Sequence, residues 1–223
     1  MNCGRGKKLQ MICVIEEKGN HLAEIIQKAG YQTSARVDCD KNELTILNNI
    51  VPDLKSLSPS IGTKPIILIG KAVRIIETIG VEDAGTIEER RVFMDSSPWD
   101  KRGFQCYKNH PLFEGLFGGF YSIHLNGLEK IPNVFYYLGS RAKVVAVEKR
   151  YISYIRERKL IWLHDIGGFP VLSIGGYLSF EEPDNPYNAE ARRFIENSIL
   201  WMLSPNRQGK YWIESDSVFV QTS

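Results

Sequence analysis

The first eighty residues alternate between short apolar runs and stretches spaced like the inner face of a helix. "LQMICVIEE" (9–17) is an apolar run bounded by charge, which predicts a strand. "NHLAEIIQKAGY" (20–31) follows with Leu22, Ile25, Ile26 and Ala29 at helical spacing, Asn20 placed as an N-cap and Gly30 as a C-cap. "QTSARVD" (32–38) is β-like, and "NELTILNNIVPDL" (42–54) has the spacing of a second amphipathic helix that ends near Pro52. "PIILIG" (65–70) is the strongest β segment of this half, and "AVRIIETIG" (72–80) is helical again. A β-α-β-α-β-α order predicts a parallel sheet with helices on its faces.

From about 83 to 120 charges, aromatics, Pro and Gly mix, and the pattern predicts a helix over 84–94 followed by a loop. "YSIHL", "VFYYLG", "KVVAVEK", "KLIWLHDI" and "PVLSIGGYLSF" then read as strands between 118 and 180, with Gly167-Gly168 as a turn. Short turns allow these strands to extend the sheet in antiparallel fashion. "NAEARRFIENSILWML" (188–203) predicts a last amphipathic helix, with Phe194, Ile195, Ile199, Leu200 and Leu203 on one broad face and Asn185 or Asn188 as its cap. The fold class is therefore α/β: a three-layer α/β/α, flavodoxin-like domain over 1–204, its sheet mostly parallel with an antiparallel extension. Residues 205–223 form a polar tail or a linker to a further domain.

Composition narrows the function classes. Lys and Arg number 28 against 26 Asp and Glu, and a net charge of +2 argues against a general nucleic-acid binder. The cysteines at 3, 13, 39 and 106 form no C-x-x-C pair and no zinc spacing, which predicts free thiols in a reducing compartment. The N-terminal apolar run is too short and too acidic at its end for a secretory signal, and no run reaches a membrane span. A cytoplasmic protein without membrane partners is the expectation.

Candidate chemistry is sparse. "LIGKAVR" (68–74) has the strand–turn–helix form that lifts a nucleophile in several α/β hydrolase and amidotransferase folds, yet its turn reads Gly70-Lys71-Ala72. Lys71 lies at the carboxyl end of a strand, where open α/β sheets place ligands, and a solvated turn lysine is the alternative. There is no G-x-S-x-G, no Walker loop and no H-E-x-x-H. Ser173, His164 and Asp165 can be written as a triad, but strand alternation points adjacent His164 and Asp165 to opposite faces. Glu114, Glu181 and Glu182 are carboxylates by location only. No metal and no cofactor is implied.

Two segments carry a resemblance. "NHPLFEGL" (109–116) resembles the His-Pro-apolar-x-x-Gly-Leu segment of class I glutamine amidotransferase-like proteins of the trehalose-utilisation, or ThuA-like, type. "FPVLSIGGYLSF" (169–180) followed by "ARRFIENSILWML" (191–203) resembles the end of that fold, with Asn197 and Trp201 in the places of its Asn and Trp. Read physically, Pro111 fixes its own φ and drives His110 out of the α region, so Leu112, Phe113 and Leu116 can plug a core while Gly115 permits the bend. Gly175-Gly176 allows a close approach to a ligand or to another element, or a bulge beside packed helices.

The resemblance implies a cysteine near Lys71 or Ala72 and a histidine with an acid after the last strand, where this chain has "GGYLSFEE" and Tyr177. The cysteine and the histidine are both missing, so glutaminase chemistry is not expected. The implied role is a ligand-binding or accessory domain linked to carbohydrate metabolism. Its alternatives are a ThuA-like sugar-directed hydrolase or isomerase using His110, Glu114 and a further acid, and an N-terminal accessory domain of a multidomain glycosidase. The expected ligand site is the carboxyl edge of the sheet at Lys71, His110, Glu114 and Tyr177, taking a carbohydrate or sugar phosphate. A second copy or an attached enzyme domain is the expected protein partner.

Overall fold

In the computed structural model, which describes residues 10–35, 41–91, 101–106, 110–124, 133–150, 153–178, 180 and 189–204, the centre is a run of parallel strands. These are β1 (Met11–Glu16), β2 (Gln32–Ser34), β3 (Asn42–Asn48), β4 (Ile66–Ile69) and, from the far end of the chain, β11 (Phe169–Ile174). They lie in the order β2-β1-β3-β4-β11, each pair parallel. Beyond β11 the sheet continues antiparallel through β10 (Ser153–Ile166), β9 (Lys143–Arg150), β6 (Lys101–Cys106) and β7 (Gly119–His124). β8 (Asn133–Tyr137) leaves this path and bridges β10 to β5 (Ile87–Arg91).

Helices cover both faces. α1 (Leu22–Lys28) and α4 (Ala189–Met202) bury Leu22, Ile26, Phe194 and Ile199 against Ile12, Ile46, Ile67 and Leu172 of one face. On the other face α2 (Leu54–Leu57), a 3-10 turn over Gly70–Arg74 and α3 (Ile75–Thr78) cover Leu47, Leu68, Val171 and Trp162. The result is the expected three-layer α/β/α arrangement, parallel in its core with an antiparallel extension.

Four local expectations are corrected. Residues 42–48 are strand β3, not helix: Leu44 and Leu47 mimic helical spacing, but β1 and β4 flank the segment and bury both of its faces. Residues 87–91 are strand β5, not helix. "IEERR" has helix-forming side chains, yet pairing along β8 overrides propensity, and its charges stay exposed. The start of α1 is not capped by Asn20. Glu16 at the end of β1 accepts from the N–H groups of Leu22 at 2.9 Å and Ala23 at 3.3 Å. On α4, Leu200 is 47% exposed while Trp201 and Met202 are buried, so the inner face is turned from the expected one. Asn185 and Asn188 lie outside the described residues.

Gly167 and Gly168 both have positive φ (63° and 84°) and make the two-residue turn between β10 and β11, closed by Asp165 Oδ1 accepting from Gly168 N–H.

Candidate functional site

At the end of β4 the chain turns on Gly70, whose φ of +59° only glycine adopts without strain. A Cβ built on Gly70 would overlap Asn49 Oδ1. Asn49 itself follows β3 with a φ of +57°, and its Oδ1 accepts from Lys71 N–H at 3.4 Å. The position immediately after the strand thus has no side chain, a carboxamide fills the space, and Lys71 and Ala72, where the resemblance implies the cysteine, follow it. Lys71 is exposed. At the neighbouring end of β1 the Glu16 carboxyl is spent on the α1 amides, and burial pushes its pKa up. Cys13 and Cys106 are buried on strands β1 and β6, not in this turn; Cys3 and Cys39 lie outside the described residues.

The 110–116 segment is a docking motif. His110 is extended (φ −115°, ψ 140°), as Pro111 demands, and its Nδ1 accepts from Leu112 N–H at 3.3 Å. Its ring sits 5.2 Å from that of Trp201. Burial lowers its pKa to about 4, so His110 is neutral at pH 7. Asn197 Nδ2 donates to the carbonyls of Leu112 (3.2 Å) and Glu114 (2.9 Å). Leu112, Phe113 and Leu116 enter the core, Gly115 bends at φ +81°, and the Glu114 side chain faces solvent. The two motifs that carry the sequence resemblance therefore meet: Asn197 and Trp201 of α4 hold the turn that begins at His110.

A third arrangement lies just past β11. Gly175 N–H donates to Leu160 O at 2.7 Å, and Gly175 O accepts from Phe135 N–H at 2.8 Å. A Cβ on Gly175 would overlap the Phe135 carbonyl, and one on Gly176 the Phe104 ring. Gly175 thus admits β8, and Gly176 the Phe104 ring of β6, across the end of β11. Beyond it lies a narrow cleft of about 20 Å³, whose polar and aromatic walls include Arg102, Ser122, Tyr136, Glu148 and Tyr177.

Arg102, Tyr136 and Glu148 of its wall belong to one network, which the half-buried Arg158 joins from outside the lining. Glu148 Oε1 accepts from Arg102 Nη1 at 2.9 Å and from Arg158 Nη1 at 3.0 Å; Arg158 Nη1 also reaches Oε2 at 3.2 Å. The Tyr136 hydroxyl donates to Glu148 Oε2. Burial, and then the Glu148 charge, push the Tyr136 pKa far up, so it stays protonated. The guanidinium carbons of Arg90 and Arg158 each lie 5.8 Å from the Tyr136 ring centroid.

Of the four residues singled out in the sequence, Tyr177 lines this cleft; Lys71, His110 and Glu114 are not among its lining residues. Sequence reasoning missed Arg102, Tyr136, Glu148 and Arg158. The one available signal was Glu148 inside the apolar run "KVVAVEK", a carboxylate where the pattern demands burial. Its Arg102 partner is 46 residues away and could not be paired with it from spacing.

The written triad does not assemble. His164 Nε2 pairs with Glu82 Oε1 at 2.8 Å, and Tyr137 OH donates to the same oxygen at 2.6 Å. Asp165 closes the hairpin turn, and buried Ser173 has no hydrogen bond to His164. Burial lowers the His164 pKa against the opposing pull of Glu82. Glu181 and Glu182 lie outside the described residues. Among the described residues no group of three or more His, Cys, Asp or Glu could hold a metal, and no helix is long and apolar enough to cross a membrane.

No protein-family profile matches the chain, and no curated protein does. Solved structures do. The cytoplasmic protein STM1381 of Salmonella typhimurium LT2 superposes with a TM-score of 0.53 at 8% identity, over 86% of this chain and 99% of that one. A ThuA-like protein from Parabacteroides merdae gives 0.51 at 9% identity, over 87% and 89%. A β-galactosidase from Rahnella sp. R3 gives 0.52 at 9% identity over 88% of this chain, which spans only 32% of that enzyme. At these identities the likeness is one of fold: the chain shares the architecture of a ThuA-like protein and of one part of a β-galactosidase.

Proposed function

We propose that this chain is a non-glutaminase, non-catalytic domain of the ThuA-like amidotransferase type that binds a carbohydrate-derived ligand in the cleft beside Tyr177. The observation that carries the reading is the cleft itself. It opens at the carboxyl end of a central strand, where open α/β sheets receive ligands, and it pairs an aromatic ring with a built polar wall. The cleft, about 20 Å³, would take a single group of a ligand whose ring lies against Tyr177. The ThuA-like and β-galactosidase neighbours support a link to carbohydrate metabolism. Lys71 and Glu114 are exposed and do not line the cleft, and His110 acts by fixing the 110–116 turn.

The turn Gly70-Lys71-Ala72 supports the absence of glutaminase chemistry, because it has no nucleophile. A sugar-directed enzyme is the second reading. It requires His110 and Glu114 in one pocket, whereas His110 is buried against Trp201 and the Glu114 side chain is in solvent. An accessory role beside a glycosidase domain is consistent with the share of the β-galactosidase that the chain spans. Binding is tested by titrating the full chain with glucose, galactose and trehalose, by calorimetry, beside Tyr177→Ala. Saturable heat that the substitution abolishes supports the reading; no heat from any sugar, or heat unaffected by the substitution, contradicts it.

A further inference from the structure

We infer that the outer edge of strand β5 is a self-pairing surface: it takes a second copy of this chain as an antiparallel strand, with the two-fold axis at Arg90. The inference does not depend on the ligand cleft.

β5 ends the branch of the sheet that leaves β10 through β8, and among the described residues β8 is its one strand partner. The direction of each backbone group follows from the ladder. Leu138 N–H donates to Thr86 O at 2.9 Å, and the register then sets Ile87 opposite Tyr137 and Arg91 opposite Asn133. Main-chain groups alternate along an antiparallel strand, so Glu88 and Arg90 bond to β8, while Ile87, Glu89 and Arg91 turn N–H and C=O outward. Two further bonds agree with this. Glu77 Oε1 accepts from Ile87 N–H at 2.9 Å, and Phe135, opposite Glu89, donates its N–H away from β5 to Gly175 O at 2.8 Å. Glu77 therefore closes the edge at Ile87. The outward groups of Glu89 and Arg91 form a template for a further strand.

The charges on this edge fit a copy of themselves. β5 carries Glu88, Glu89, Arg90 and Arg91, two of each sign, so two copies of the strand meet without net repulsion. A charged edge of one sign would repel its copy. A two-fold pair must set outward groups against outward groups, so its axis falls at a single residue. With the axis at Glu89, carboxylate faces carboxylate and the pair needs the Ile87 N–H that Glu77 holds. With the axis at Arg91, two guanidiniums face each other. With the axis at Arg90, Glu89 of each copy lies opposite Arg91 of the other, and the two pairs exchange four main-chain hydrogen bonds. Glu89 and Arg91 are both exposed. Glu89 Oε2 accepts from Arg74 at 2.9 Å and Oε1 from Asn133 Nδ2 at 2.7 Å, and each oxygen keeps a second lone pair for an incoming guanidinium. On the opposite face the two Arg90 side chains meet at the axis. Each is already paired with Glu88 of its own strand at 2.7 Å, and that carboxylate lies diagonal to Arg90 of the other copy, which offsets their repulsion.

The test measures the mass of the full chain by sedimentation equilibrium from micromolar to millimolar concentration at low salt. The natural chain should show a reversible monomer–dimer equilibrium. Arg91→Glu sets Glu89 against a carboxylate, and Glu89→Arg sets Arg91 against a guanidinium. Each substitution should weaken its own dimer about tenfold or more, since two attractive pairs become repulsive. An equimolar mixture of the two variants should restore the dimer, because only the mixed pair has opposite charges at both positions. Arg91→Pro removes an outward N–H and no bond to β8, so it should keep the thermal transition and abolish the dimer. A chain that stays monomeric over the whole range overturns the inference. So does a dimer that neither Arg91→Glu nor Arg91→Pro weakens, or a mixture that dimerises no more tightly than its components. If Arg91→Pro loses its thermal transition, Arg91→Glu and the mixture decide.

Discussion

Gly70 and Asn49 form a coupled pair, since the carboxamide of one occupies the space a side chain on the other would need. Gly70→Ala should destabilise by roughly 1–3 kcal/mol, the usual cost of a strained backbone position, and Asn49→Gly in the same chain should restore part of it by removing the overlap. Urea denaturation of the two single variants and the double checks this, and strict additivity would contradict it. His110 makes a second prediction. Its folded pKa of about 4 lies below the ordinary 6.5, so between these values the unfolded chain binds a proton that the folded chain refuses. Stability should therefore fall as pH drops through this window, by about 3 kcal/mol in all, and level off below it. His164, whose pKa is also lowered, adds in the same direction. Denaturation at pH 7 and near pH 4 should show the loss, and His110→Gln should lessen it. Such partnerships lie beyond spacing: "NHP" foretells a turn, but not that Trp201 holds it together with Asn197, which is 85 residues from Leu112 along the chain.

Strands and helices were legible where their patterns were one-sided. α1, β4, β9 and α4 show clean runs or clean periodicity, and the structure has them. β3 was misread because a strand buried on both faces lacks alternation, so Leu44 and Leu47 could be fitted to a helix. β5 was misread because its partner β8 lies over 40 residues on, and "IEERR" alone favours helix. For α4 the docking claim is quantitative. Ile199→Ala should cost about 2–5 kcal/mol, as deletion of buried methylenes does, whereas Leu200→Ala, on the exposed side, should change stability by less than about 0.5 kcal/mol. Melting curves of the two variants separate the faces, and equal shifts would show the helix to be docked otherwise.

The architecture as a whole followed from element order, because β-α alternation and short later turns leave few arrangements. The cleft did not follow. Its walls come from β6, β7, β8, β9 and β10 and the segment after β11, and only the assembled sheet brings Arg102, Tyr136, Glu148 and Tyr177 together. The same assembly separates the cleft from the elbow at Gly70. Glutamine hydrolysis should accordingly stay at the uncatalysed background, and ammonia release that scales with protein concentration would contradict the account. The most direct test of the ligand site is chemical-shift mapping on the isotope-labelled full chain, titrated with glucose, glucuronate and glucose 6-phosphate. The account predicts perturbations clustered at Arg102–Phe104, Ser122, Val134–Tyr136, Glu148 and Gly176–Tyr177. Perturbations centred instead on the amino-terminal edge of the sheet or confined to residues 205–223, or no perturbation at all, would contradict it.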